Sequence, residues 1–351
     1  MSSTNCLSNT IGLPDQIVNY FVRTFIKVKT IYFTKMLSNA ELEILDMLCS
    51  EREATAKNLA VETGHSQKQV YRVVDDFLED GLVDESRHHH NQRIVRLTDN
   101  PVVEAYRHLN SKLGHVDWPD LLSPATIRVC WYLDEPRRIM AIADRLGITR
   151  QAVHKALSPL KNRAMLAPAG PDYALATDLQ PLHGFAQEVV AHEHRTHVRK
   201  LAPSVTIEWC DPKRALVVVQ TREDTDALKD ASEWSLTGLA AFHEYDLQFF
   251  LAGEPAFWYV PDDRLSPADI VCHTLVLDAG SRRVSYAMLL IEQEQISEAE
   301  LRETAVWYGI EPLIKRIYRF IEGDLDTTDD VGITVPSARE YAALKDQYGV
   351  A

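Results

Sequence analysis

Between residues 36 and 178 the apolar positions run through the same order twice. "AVETGHSQKQVYRVVDDFLEDGLV", starting at Ala60, aligns without a gap on "ADRLGITRQAVHKALSPLKNRAML", starting at Ala143, at an offset of 83 residues. Gly64 pairs with Gly147, Ser66 with Thr149, Val70 with Val153, Val74 with Leu157 and Phe77 with Leu160. Upstream, "LSNAELEILDML" matches "LSPATIRVCWYL" at an offset of 85, so the two-residue difference falls in the loops "CSERE" and "DEP". Loops tolerate such changes of length.

Each copy predicts helix, helix, tight turn, helix and then strands. Ser38 and Ser123 are natural N-caps for the first helix, the second followed by Pro124 at the first helical position. The middle helices, "TAKNLAVET" and "RRIMAIADRL", each run into a glycine, which takes the left-handed conformation of a sharp turn without a Cβ clash. Ser66 and Thr149 then cap the third helix. The small Ala60 and Ala143 let two helices cross closely while Val70 and Val153 plug the junction, the geometry of a helix-turn-helix.

After the third helix, copy one continues as "LVDES" and "RIVRLT", two strands joined by a polar hairpin that carries Arg87, His88, His89, His90, Asn91, Gln92 and Arg93. Copy two has the shorter "MLAPAGPDYALA", without a basic residue. Together the copies resemble a tandem pair of winged-helix domains. The first is similar to the MarR-type transcriptional regulators and the second to the same broad class, over about residues 36 to 178. The resemblance implies duplex DNA as partner, with each third helix in the major groove and the wing near the minor groove.

Turning the third helices by 100° per residue separates core from exposed face. In copy two Ile148, Val153, Ala156, Leu157 and Leu160 point inward, leaving Thr149, Arg150, Gln151, His154, Lys155 and Ser158 outward. Arg and Gln at the start of a recognition helix suit bidentate contact with guanine and adenine edges. In copy one the matching face is Ser66, Gln67, Lys68, Tyr71 and Arg72, with Asp75 beside them, and Arg87 and Arg93 on the wing.

Charge divides the copies. The whole chain carries −14, which argues against indiscriminate coating of nucleic acid. Residues 123 to 177 nevertheless hold eight Lys/Arg against four Asp/Glu, a balance of +4, while residues 38 to 100 hold seven against thirteen, a balance of −6. Copy two has the better electrostatic footing for phosphate, and copy one the better wing. The acidic excess also suits a salt-loving cytoplasm, without being large enough to prove one.

"NPVVEAYRHLNSKLG" predicts a helix, broken at Trp118-Pro119, and "LQPLHGFAQEVVAHEHRTHVRKLAP" predicts a connecting helix ending at Pro203. Leu182, Phe185 and Val189 give that helix an apolar face, to cover the next domain or to pair with its twin in a homodimer. From 204 onward, "SVTIEW", "RALVVVQ", "LQFFLA", "AFWYVPD", "CHTLVLD" and "RRVSYAMLLIEQ" have strand character, with a hairpin turn at Gly280-Ser281. Helices are expected at "SEWSLTGLAAFHEY", "SEAELRETAVWYG" and "PLIKRIYRFIEG". "LDTTDDVGITVPSAREYAALKDQYGVA" opens as an acidic linker and closes as a helix, with Ser337 and Glu340 in a capping box.

The expected fold class is therefore α+β: an N-terminal extension (1–35), winged-helix domain one (36–100), helix and linker (101–122), winged-helix domain two (123–178), a connecting helix (179–203), an α+β sensor or assembly domain (204–324) and an acidic linker with a C-terminal helix (325–351). "SLTGLAAFHEYDLQF" followed by "AFWYVPDD" resembles the C-terminal domain of abortive-infection antitoxins, though the pattern after it departs from that family. The resemblance implies a repressor of its own promoter that counters a nucleotidyltransferase toxin.

The remaining chemistry is thin. The five cysteines lie far apart, are odd in number and form no C-x-x-C, which supports neither a disulfide framework nor a cysteine zinc site and favours a reducing, cytoplasmic compartment. Three consecutive histidines on a hairpin cannot face one ion, so His88–His90 read as a solvated wing. His192, Glu193, His194 and His197 lack the H-E-x-x-H order and an identifiable third ligand, so neither metal nor cofactor is expected. Gly280-Ser281 lacks the D-x-D of a nucleotidyltransferase, and nucleophile elbow, Walker loop and dinucleotide fingerprint are absent, so an enzyme is not expected. "IVNYFVRTFIKVKTIYFTKM" in the leader is too broken by Arg23, Lys27 and Lys29 to span a bilayer. It reads as an added helix, as a segment upstream of a true start at Met36, or as a membrane-surface helix. The expected partners are double-stranded DNA, a second copy of the chain, and a protein or small effector at the C-terminal domain, with no membrane. The alternatives are a protein-binding or antitoxin-like adaptor and a plasmid or replication-origin binding protein.

Overall fold

Residues 37 to 87 and 93 to 97 fold as three helices and a three-stranded sheet. The computed structural model describes residues 37–87, 93–249, 255–259, 265–323 and 335–350; the leader, the tip of the first hairpin with His88–His90 and the acidic linker lie outside them. Helix α1 (Asn39–Glu51) starts at Ser38 in a capping box with Glu41, α2 (Ala56–Thr63) starts at Thr55, and α3 (Gln67–Glu79) starts at Ser66. Gly64, at the end of α2, sits at φ 72°, the left-handed turn that a side chain would strain. Strands β2 (Val83–Arg87) and β3 (Arg93–Leu97) form the expected antiparallel pair. A third strand, β1 (Glu53–Thr55), pairs with β3 where the sequence reads as a plain loop. Leu45, Leu48, Leu59, Val70, Val74 and Phe77 close the core.

After α4 (Pro101–Lys112) and the short α5 (Trp118–Leu121), the second copy repeats the scheme. Trp118 is a fully buried anchor rather than a linker residue. Helices α6 (Pro124–Cys130), α7 (Ile139–Leu146) and α8 (Arg150–Asn162) lead into the hairpin β4 (Leu166–Ala169) and β5 (Asp172–Leu175). Gly147 takes φ 64° between α7 and α8. A single bridge between Arg137 and Tyr173 stands where β1 stands in the first copy.

Helix α9 (Gln180–Arg199) buries Leu182, Phe185, Val189 and Val190. It lies along α4, α6 and the following sheet, with Phe185 edge-on to Tyr106 at 5.2 Å. Its apolar face is therefore covered within the chain, which corrects the alternative of pairing with a twin.

The C-terminal part is a four-stranded antiparallel sheet with helices beside it. The order is β6 (Val205–Asp211), β7 (Arg214–Val219), β9 (Ala256–Tyr259), β8 (Trp234–Thr237), with α10 (Arg222–Asp230) between β7 and β8. The helices α11 (Pro267–Leu277), α12 (Ser281–Gln293), α13 (Glu298–Ala305), α14 (Glu311–Ile321) and α15 (Ala338–Tyr348) share one core. Three expectations are corrected here. "CHTLVLD" and "RRVSYAMLLIEQ" are helical, not strands; "SEWSLTGLAAFHEY" begins as β8 and is helical only from Gly238 to Tyr245, as a 3-10 helix; and Gly280-Ser281 opens α12 instead of turning a hairpin. Helices α11 and α12 are buried nearly all round, Val284 to Ile291 without a break, and such a run carries no 3.6-residue period to distinguish it from an inner strand. The capping box of Ser337 and Glu340 forms as expected. The molecule mixes helices with small antiparallel sheets, an α+β architecture. Among the described residues, no helix is long and apolar enough to cross a membrane.

Candidate nucleic-acid interface

Helix α8 begins where Thr149 turns the chain, its hydroxyl accepting from the Ala152 N–H at 3.2 Å. Burial of Val153, Ala156, Leu157 and Leu160 fixes the rotation of the helix, with Ile148 half-buried at its start. That rotation leaves Thr149, Arg150, Gln151, Lys155 and Ser158 exposed and His154 partly so. The Arg150 Nε lies 3.4 Å from the His154 Nε2, one turn on. His154 meets the edge of the Tyr173 ring at 6.3 Å, and the Lys161 ammonium lies 6.0 Å from the same ring, so the hairpin braces the helix through Tyr173. Arg150, Lys155 and Lys161 make no ion pair among the described residues.

The matching face of α3 exposes Ser66, Gln67, Lys68, Tyr71 and Arg72. Arg93, at the base of the hairpin, is held inward: its guanidinium donates to Asp75 at 2.8 Å and lies 3.0 Å from Glu85 and 5.6 Å from the Tyr71 ring. Its charge is spent inside the protein, which sets it apart from the other residues of this face. The Arg87 backbone pairs with Arg93, while its side chain lies outside the described residues.

The positive balance of the second copy is smaller in space than in sequence. Arg145 is bound to the buried Asp211 at 2.9 Å, Arg137 lies 3.7 Å from Asp134, Arg138 lies 3.6 Å from Asp172, and Arg163 is bound to Asp120 at 3.1 Å. The cations left for an external anion sit on α8.

Sequence reasoning missed the clamp under α7. Asp211, at the turn between β6 and β7, accepts from the N–H groups of Lys213 and Arg214 at 2.8 Å each and from the side chains of Arg145 and Arg214. The Arg214 guanidinium also donates to the Arg145 carbonyl at 3.1 Å, satisfying one of the open carbonyls at the end of α7. The partners lie 66 residues apart, and nothing local in the sequence marks them.

The histidines of α9 part ways. The His194 Nε2 lies 2.8 Å from the Asp211 carbonyl, His197 leans on the Tyr259 ring, and burial pushes His192 down to about 4. Glu193 is pushed up to about 8 by burial, against the pull of Arg128. Among the described residues, no three His, Cys, Asp or Glu side chains converge to hold a metal ion. Cys49, Cys130, Cys210 and Cys272 are free thiols, the first three held at about 12, chiefly by burial.

Set beside known proteins, the chain finds little. No curated protein matches it. Residues 231–350, about a third of the chain, match the family model described as HVO_2833_C, C-terminal, a description that places the segment without assigning it an activity. The match begins beyond both tri-helical units, so it leaves the α8 face to be interpreted from its own chemistry.

Proposed function

We propose that the chain is a sequence-specific DNA-binding transcriptional regulator of the cytoplasm. In this reading residues 36–100 and 123–178 are tandem winged helices of MarR type, and α8 is the principal reading element. One observation carries it: the turn of α8 presents Arg150, Gln151, Lys155 and Ser158 to solvent together, free of the intramolecular ion pairs that occupy Arg137, Arg138, Arg145 and Arg163. Arg150 and Gln151 at the helix start have the donors and acceptors that read guanine and adenine edges in a major groove. Lys155 and Lys161 supply phosphate contacts that position the helix without reading sequence. The chain acts as a homodimer, its two copies of α8 spanning two half-sites.

The first copy has the weaker case as a reader. Arg93 is neutralised by Asp75 and Glu85, and Asp75 and Glu79 are exposed along α3. A groove lined by phosphate repels such a face. Its acidic surface favours contact with a protein, so the adaptor reading applies to the first copy with α8 still on DNA.

The test is fluorescence anisotropy of labelled duplexes from the protein's own upstream region, titrated with salt. Arg150→Ala is expected to cost about 1–3 kcal/mol on the cognate site and to relax preference at one base position. Unchanged affinity and unchanged preference in this variant would remove α8 from the reading role.

A further inference from the structure

A cavity of about 490 Å³ opens between the second tri-helical unit, α9, strand β6 and the turn after α13. That is within the range of small-molecule sites, roughly 300–1,000 Å³. Its walls are aromatic. Trp131 stands edge-on to Trp209 at 6.0 Å, and Tyr308 leans on Trp209 at 4.7 Å. Trp258 stacks on Trp209 at 5.6 Å with an interplanar angle of 25°, so the Trp209 indole is part of a continuous aromatic wall. Trp307 completes the lining.

The charge of the lining is negative. Asp134, Glu135, Glu188 and Glu208 face Arg137 and Arg195. Arg137 is matched by Asp134 and Glu135, at 3.7 and 4.0 Å. Glu188 and Glu208 make no ion pair or hydrogen bond among the described residues. These rings already attract cations from the chain itself: Arg137 and Arg145 lie 5.0 and 5.1 Å from the Trp307 ring centre. A ring face draws a cation through its quadrupole, and more strongly when water is excluded.

We propose that this cavity is a binding site for a small organic cation with an apolar or aromatic body, its charge facing Glu188 and Glu208 and its body against Trp131, Trp209 and Trp307. The site also touches the reading unit. Arg145 lies on α7, two residues before Gly147, and is held by Asp211 at 2.9 Å with its guanidinium 5.9 Å from Trp209 and 5.1 Å from Trp307. An occupant that moves those indoles moves the clamp at the α7–α8 turn. This coupling rests on the DNA-reading proposal; the site itself does not.

The probe is benzyltrimethylammonium, titrated into the full chain and followed by tryptophan fluorescence. A saturable change is expected, with neopentylbenzene, its uncharged isostere, binding about tenfold more weakly. Glu188→Gln together with Glu208→Gln, the first half-buried and the second exposed, keeps the size of both side chains and is expected to weaken the cation about fivefold. Absence of saturation, equal binding of the hydrocarbon, or unchanged affinity in the double variant overturns the site. A second arm measures DNA affinity with and without saturating probe. A shift of about threefold or more supports the coupling, and an unchanged affinity overturns the coupling while leaving the site. Absence of DNA binding without probe overturns the DNA reading, and the fluorescence arm still decides the cavity.

Discussion

Glu193 sits on α9 with Arg128 of α6 and Asp80 at the end of α3 as its charged neighbours. Burial raises its carboxyl from the ordinary 4.5 to about 8, Arg128 pulling against that rise and Asp80 adding to it. The folded protein therefore holds a proton at neutral pH that the unfolded chain releases. The stability linked to that proton is complete below about pH 4.5 and is lost as pH rises towards 8. Glu193→Gln is expected to abolish a loss on the order of 2 kcal/mol between pH 6 and pH 9, measured by urea unfolding at each pH. An identical pH slope in the variant would contradict the assignment. His192 and His273 act on the other side: burial lowers them to about 4 and about 3, so their contribution is lost as pH falls below the ordinary histidine value. At this scale Arg93 and Arg150 also diverge. The two look alike in sequence, and only the carboxylates folded around Arg93 show that it is already paired.

Among the elements, the β6–β7 turn has the most specific task. One carboxylate, Asp211, closes its own turn, binds Arg145 of α7 and Arg214 of β7, and is itself fully buried. Removing one partner of a buried ion pair leaves the others uncompensated. Asp211→Ala is therefore expected to destabilise the protein by about 3–5 kcal/mol in denaturant unfolding. A loss below about 1 kcal/mol would mean that Arg145 and Arg214 find water instead. The helix caps, by contrast, are local, and Ser38, Ser66, Ser123, Thr149 and Ser337 all cap where the sequence places them. Helices α11 and α12 were illegible because burial on every side erases the amphipathic signal, whereas α8 and α14 keep a polar face and were legible.

Across the whole molecule, residues Leu37–Ala351 form one compact unit where the sequence divides into several segments. Helix α9 is the reason: it is buried at once against α4, α6 and β6, so the two halves share its faces. Unfolding followed by circular dichroism and by tryptophan fluorescence is expected to give coincident transitions. Early loss of the tryptophan signal, with helicity retained, would show that the halves unfold separately. The six tryptophans suit this test, since Trp118 lies in the first half and Trp131, Trp209 and Trp307 in the junction.

The duplicated tri-helical pattern, its caps, its glycine turns and the outward face of α8 were determined by the sequence alone. Each depends on residues within one or two turns of one another, where spacing fixes geometry. The neutralised Arg93, the Asp211 clamp, the proton on Glu193 and the aromatic cavity were decided by tertiary structure. Those features join residues far apart in the chain, and the strength of a charge or a ring contact depends on how much water the fold leaves around it.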